Sequence, residues 1–266
     1  SAQTTNTYIT KSTKVMVFPL KEGNDYYRIP TLVQLTNGDL LAFADKRIGS
    51  IGDLPNKIEV VYKRSKDNGR TWSAQQLVSP KCTSIDNSYG DAAFILDRKT
   101  GNIICVVASG PGFKKSTPNK PIRISVIKSK NNGETWEQPV DITSQIYGAQ
   151  CKDQSRKGWY AAFVTSGNGL QLSTGRIIFV INVRENQQTA GSTFKNYALY
   201  SDDGGESWSV SKSGPQNNYG GNESKIVELV DGRLLMSTRP NSGNKRMHSY
   251  SSDGGETWTK SEPKSD

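Results

Sequence analysis

Apolar residues in this chain fall in short runs, each opened by a turn. The segments LTNGDLL (35–41), LDRKTGNII (96–104), LSTGRII (172–178) and LVDGRLL (229–235) share one plan. A Leu leads into a polar turn containing Gly, and two aliphatic residues then begin an apolar stretch. Strand runs bounded by such turns predict β-hairpins. Each apolar stretch leads on to a second signal: SKDNGRTW (65–72), SKNNGETW (129–136), SDDGGESW (201–208) and SSDGGETW (251–258). Here Ser and Asp or Asn can hydrogen-bond backbone groups within a turn. Gly supplies a positive φ, and Trp supplies a large apolar body to pack against. Four of the five tryptophans occupy the last position of this pattern, so the pattern recurs as a structural unit. Successive Ser positions stand 64, 72 and 50 residues apart. Units of that length built from short strands predict an all-β propeller with about four blades.

Composition supports the strands. Of 266 residues, 25 are Gly and 11 Pro, and 33% are hydrophobic, which suits many strands and turns better than helix bundles. The length allows one all-β domain with a substantial core. No apolar run approaches the ~18 residues of a membrane span. The net charge of +9 fits either a well-solvated surface or attraction to an anionic ligand. No basic run interleaved with aromatics appears, which disfavours nucleic acid as that ligand. Cys82, Cys105 and Cys151 are widely spaced, and His248 is the sole histidine, so neither a Cys/His zinc site nor a His-activated nucleophile has support.

Taken in order, the chain begins with a polar stretch, after which Lys14–Leu20 (KVMVFPL) reads as a strand. In DYYRIP (25–30), Arg28 is flanked by apolar and aromatic residues. An arginine there needs either an external anion or an ion pair with an acid of the chain. Asp45 and Arg47 stand where the first apolar strand ends, and Asp53 lies on the Gly-rich loop that follows. A loop carboxylate is commonly a turn former; two nearby arginines favour a functional role. Asp91 opens the apolar segment of the second unit, and Asp97 reads as a turn residue. The loop Lys114–Lys120 is basic. Trp159 and Tyr160, in an irregular segment, fit a sugar subsite or core packing. Glu223 precedes an apolar strand, and Arg239 ends the next one. If inner strands converge on a propeller axis, these distant charges meet in one pocket.

Together these residues resemble the sialidases (neuraminidases) of bacterial and animal type. The Ser-x-Asp-x-Gly-x-x-Trp turn looks like that family's Asp box, and Tyr27-Arg28-Ile29-Pro30 looks like its Arg-Ile-Pro motif. The resemblance runs from about Lys14 to Trp258. It implies a six-bladed β-propeller that hydrolyses terminal sialic acids, with residues 1–266 as the N-terminal portion of the catalytic domain. Carried over, Arg28 and Arg239 match two members of the arginine triad that grips the substrate carboxylate. Arg47 resembles the arginine beside the sugar's 4-hydroxyl. Asp53 matches the acid/base and Glu223 the glutamate that partners a tyrosine nucleophile. The third triad arginine and the tyrosine have no counterpart here, so the resemblance implies that the last blades are absent or lie on another chain. A fragment completing the propeller is thus an implied partner, alongside sialylated glycans. No cofactor, no metal, no nucleic acid and no membrane span are implied, and the location is secreted, periplasmic or cell-surface. The competing reading is an inactive Asp-box propeller that binds anionic glycans or a protein.

Overall fold

The computed structural model describes residues 13–265, and four sheets follow one another along the chain, antiparallel except where Gly167–Asn168 adds in parallel to the second. Each sheet is one blade. The main strands of blade 1 are Asp25–Gln34, Leu40–Ile48 and Ile58–Ser65. Those of blade 2 are Tyr89–Leu96, Ile103–Ser109 and Arg123–Ser129. Blade 3 has Ala161–Val164, Ile177–Arg184 and Lys195–Ser201, and blade 4 has Gly221–Glu228, Leu234–Pro240 and Met247–Ser251. A two-residue outer strand completes each blade. Among the described residues no helix is long and apolar enough to cross a membrane.

The apolar runs seen in the sequence are the second strands. In blades 2 and 3 they are covered on both faces by the flanking blades, so nearly every residue is apolar instead of every other one, whereas in blade 4 burial alternates along Leu234–Pro240. Ile103–Ser109 and Ile177–Arg184 are buried throughout. The cores lie between blades. Leu41, Phe43 and Val60 of blade 1 pack on Phe94, Cys105 and Ile127 of blade 2. Ile104 and Val126 meet Phe179 and Leu199 across the next interface, and Ile178 and Val180 meet Ile226 and Met236 across the third.

The predicted hairpins close alike. Leu35, Asp97, Leu172 and Leu229 each donate an N–H to the carbonyl four or five residues on, at 2.8–2.9 Å, around a glycine of positive φ. The tryptophan turns repeat one set of bonds, except that Trp136 Nε1 in the second makes no bond to its glycine carbonyl. In the first, Ser65 Oγ donates to Asp67 Oδ1 (2.8 Å) and accepts from Gly69 N (2.8 Å), while Trp72 Nε1 donates to Gly69 O (3.1 Å). Asn131 serves in the second turn by accepting from Thr135 N (2.9 Å) and donating to Thr135 Oγ1 (2.7 Å).

These turns also clamp one blade to the one before it. A Cβ added to Gly133, Gly205 or Gly255 would sit 2.6, 3.2 or 2.7 Å from Leu41, Ile104 or Ile178 of the preceding blade. The next residue in each turn reaches back to a cation there: Glu134 to Arg64 (3.3 Å), Glu206 to Lys128 (2.5 Å) and Glu256 to Arg176 (3.7 Å). Chain direction puts these turns and the hairpins at one end of the sheets. The loop carrying Asp53 and the starts of the inner strands lie at the other.

The strand expected at Lys14–Leu20 does not form. Residues 13–20 run without ladder pairing. Phe18 stacks on Tyr27 (5.5 Å between rings), Val17 O accepts from Lys63 Nζ (2.7 Å), and Pro19 brings no N–H to a ladder. The apolar pattern is instead used to fasten an extended segment onto blade 1.

Candidate active site

The innermost strands of blades 1, 2 and 4 share an irregularity. Pairing with the second strand slips between Arg28 and Thr31, between Gly90 and Ala93, and between Gly221 and Ser224. Such bulges bend the strand and re-aim side chains. Ile29 (φ 56°) and Asp91 (φ 54°) adopt the left-handed conformation that L-residues seldom hold, and Pro30 brings no N–H that would need a partner. Arg28, Asp91 and Glu223 all stand at these slips.

Arg28 is exposed and has no hydrogen-bond or ion-pair partner among the described residues. The alternative of a buried ion pair is therefore excluded, and its guanidinium is open to an anion. Arg47 is the opposite case, with 0% exposure. Its guanidinium lies 3.3 Å from Asp45 Oδ2, 2.7 Å from Asp53 Oδ1 and 3.8 Å from Asp91 Oδ1, and it also donates to Ile51 O (2.8 Å). Arg47 thus fixes the Asp53 loop from beneath. The Asp53 side chain remains 73% exposed, and Asn56 Nδ2 donates to Asp53 O (2.7 Å). On blade 4, Arg239 donates to Glu223 Oε2 (2.6 Å), and both are partly open to solvent.

Sequence reading did not single out the two carboxylates that couple these groups. Asp45, 1% exposed, accepts the Asp91 N–H (3.2 Å). Burial, reinforced by the charge of Asp91, raises its carboxyl from 3.8 to about 8. Three acids around one guanidinium exceed its charge, which favours the protonated form of the most buried of them, Asp45, while Asp53 takes the short bond. Burial also raises Asp91, to about 6; Asp53 and Glu223 add to the rise, while Arg47 and Arg28 oppose it. The field at Asp91 therefore comes from blades 1 and 4 together. The available signal was a charged residue at the same place in the inner strand as Arg28. A third residue, Lys225, stands two positions beyond Glu223. Its Nζ donates to Thr165 O of blade 3 (3.0 Å), and burial lowers the amine to about 8.

Trp159 resolves to core packing, buried between blades 2 and 3 and 4.7 Å from the Tyr197 ring; Tyr160 lies beside the Arg184 guanidinium. Asp97 is the turn residue expected, accepting from Lys99 N (3.0 Å) and Thr100 Oγ1 (2.8 Å).

Consecutive blades stapled by Asp boxes, with arginines and carboxylates gathered at the inner-strand bulges, define a sialidase-type six-bladed β-propeller, of which four blades are present. The chain belongs to the BNR repeat-like domain family, whose model matches residues 29–263. It is 34% identical over 233 residues to a sialidase of Micromonospora viridifaciens, covering 82% of this chain and 33% of that protein. It is 30% identical over 227 residues to a sialidase of Clostridium perfringens, covering 82% and 56%. The solved structure of a Hadza microbial sialidase superposes with a TM-score of 0.76 at 27% identity, over 88% of this chain and 46% of that one. A leech intramolecular trans-sialidase shares the fold, with a TM-score of 0.75 at 18% identity over 96% and 53%. The chain thus spans between a third and just over half the length of these relatives.

Proposed function

We propose that this chain is the N-terminal part of an exo-sialidase catalytic domain, one that removes terminal sialic acids from glycoconjugates with retention at the anomeric carbon. The observation that carries this reading is the meeting of Arg28, Asp53, Asp91, Glu223 and Arg239 in one electrostatic neighbourhood over buried Arg47. A sialic acid bears a carboxylate on its anomeric carbon. Arg28 and Arg239 bind that group through charge-assisted, bidentate hydrogen bonds. Asp53, held by Arg47 yet open to solvent, protonates the departing glycosidic oxygen and then activates water. A carboxylate nucleophile would be repelled by the substrate's own carboxylate. A neutral tyrosine, whose proton passes to Glu223, avoids that repulsion; sialidases are known exceptions to the two-carboxylate rule. No tyrosine hydroxyl among the described residues is hydrogen-bonded to Glu223. We therefore assign the nucleophile and the third arginine to two further blades that complete the ring, on a longer chain or a partner chain. Because sialylated glycans are displayed outside the cytoplasm, the reading includes a secreted, periplasmic or cell-surface enzyme.

The test is release of a fluorescent aglycone from a sialoside by the completed propeller, with Asp53→Ala as control. Turnover abolished by the substitution supports the assignment. Turnover that survives it, or binding of sialic acid without any turnover, overturns it.

A further inference from the structure

Beside the loop that carries Asp53, a cleft of about 690 Å³ opens between Pro55 and the segments around Gly110–Arg123 and Asp141–Gln150. Its wall is continuous with that loop. Gly112 packs so closely that a Cβ there would lie 2.8 Å from Leu54 O. The basic loop Lys114–Lys120 is fastened from behind by Arg184, 2% exposed, which donates to Phe113 O (3.2 Å), Lys114 O (3.3 Å) and Ser116 O. Ser116 Oγ accepts the Ile122 N–H (2.9 Å), and Pro118 O accepts that of Ala149 (2.9 Å). Phe113 is held edge-on between Phe163 and Phe194, at 5.2 and 4.9 Å. The cleft is therefore built before any ligand arrives, which lowers the ordering cost of binding.

Its charge is directional. The side chains of Lys115, Lys120 and Arg123 border the cleft, exposed, with no hydrogen-bond or ion-pair partner among the described residues. Asp86 and Asp141 border it too, but Asp141 is already engaged by Thr143, through its N–H (2.8 Å) and Oγ1 (2.6 Å). Three cations against two carboxylates, one of them already hydrogen-bonded by Thr143, leave a net positive charge that favours an anion.

We propose that this cleft is a subsite for an acidic sugar, carboxylated or sulfated, on the leaving-group side of the scissile bond. The inference rests on the sialidase reading above. Asp53 has to stand between the sialic acid and its leaving group, and Pro55, two residues on, opens the cleft on that side. Arg123 and Lys115 supply charge-assisted hydrogen bonds to the acidic substituent.

Two measurements test it. In the completed protein, kcat/KM is compared for three sialosides: one with a neutral lactose leaving group, one whose leaving group carries a second sialic acid, and one whose leaving galactose is sulfated. The acidic leaving groups should be favoured by about tenfold at moderate salt, the scale of one or two partly exposed charge contacts. The Lys115→Ala/Arg123→Ala variant should lose that preference and keep its rate on the neutral substrate. A preference confined to one acidic sugar supports the subsite and identifies its source. Equal values for all three, or a preference that persists in the variant, overturn it. The second measurement needs no turnover: galactose 6-sulfate and free sialic acid are titrated into the 266-residue chain, with galactose as control, following backbone amide resonances. Shifts at Gly110, Ser144 and Gly148 that vanish in Arg123→Ala uphold the subsite even if no sialoside is hydrolysed, an outcome that would refute only the sialidase reading. No shift with either acid overturns the subsite.

Discussion

Asp45→Asn isolates the buried carboxyl beneath the site. Asp45 is 1% exposed, with Oδ2 placed 3.3 Å from Arg47 and 3.2 Å from the Asp91 N–H. Burial first, and then Asp91, raise it from 3.8 to about 8. The folded chain therefore binds this proton more tightly than the unfolded chain. Its stabilising contribution is full below about pH 4 and is lost as pH rises toward 8. Each pH unit in that window is worth about 1.4 kcal/mol, so by pH 7 the loss approaches about 4 kcal/mol, an upper bound because Asp45 and its charged neighbours titrate together. Asparagine is nearly isosteric, offers one oxygen to both donors and cannot ionise. Urea unfolding followed by tryptophan fluorescence between pH 5 and 8 should show wild-type stability falling. The variant should lose much less and be the more stable protein at pH 8 by about 2–4 kcal/mol. Asp91, raised to about 6 by burial and its neighbours, adds a fall over a narrower window, below pH 6, in both proteins. Parallel curves for the two proteins would refute the assignment of a proton to Asp45.

Arg28→Ala should weaken binding of a sialic acid analogue by roughly a hundredfold, the scale of a lost bidentate charge contact, and leave the melting temperature unchanged; calorimetric binding beside a thermal melt checks both halves, and an unaltered affinity would sink the role. Trp208→Ala should cost about 3–5 kcal/mol in chemical denaturation, because the ring is 5% exposed against Phe179, whereas half-buried Trp72 should cost less. Gly133→Ala should lose about 2–4 kcal/mol, combining a left-handed φ with a Cβ 2.6 Å from Leu41, while Gly69→Ala, whose nearest contacts lie at 3.6 and 3.8 Å, should lose about 1 kcal/mol. Equal losses in the two glycine variants would count against the clamp.

The hairpins and Asp boxes could be read directly because their hydrogen bonds are local: Ser65, Asp67, Gly69 and Trp72 satisfy one another within eight residues. Arg28, Arg47, Glu223 and Arg239 stood out as charges at the ends of apolar strands, and Asp53 as a carboxylate on the loop after one of them. Asp45 and Asp91 were seen at strand ends but given no role in the site, because what distinguishes them is a hydrogen bond across 46 positions and a shared guanidinium. The slips at Arg28, Gly90 and Gly221 are properties of strand pairs, which a single strand's pattern of apolar and polar positions does not contain. Lys14–Leu20 misled for a related reason: its apolar residues serve one stacking contact and one lysine bond, not a ladder.

The clamps made by Gly133, Gly205 and Gly255 all point the same way, each later blade gripping an earlier one. No blade has to wait for its successor to provide a seat. As the chain leaves the ribosome, every finished blade offers the next a prepared surface, and blade assembly becomes a one-way sequence in which the newest blade is the only one not yet gripped by a successor. A lesion in a late blade thus leaves the earlier joints intact, whereas one in blade 1 takes the seat of Gly133 away at Leu41, and with it the start of the order.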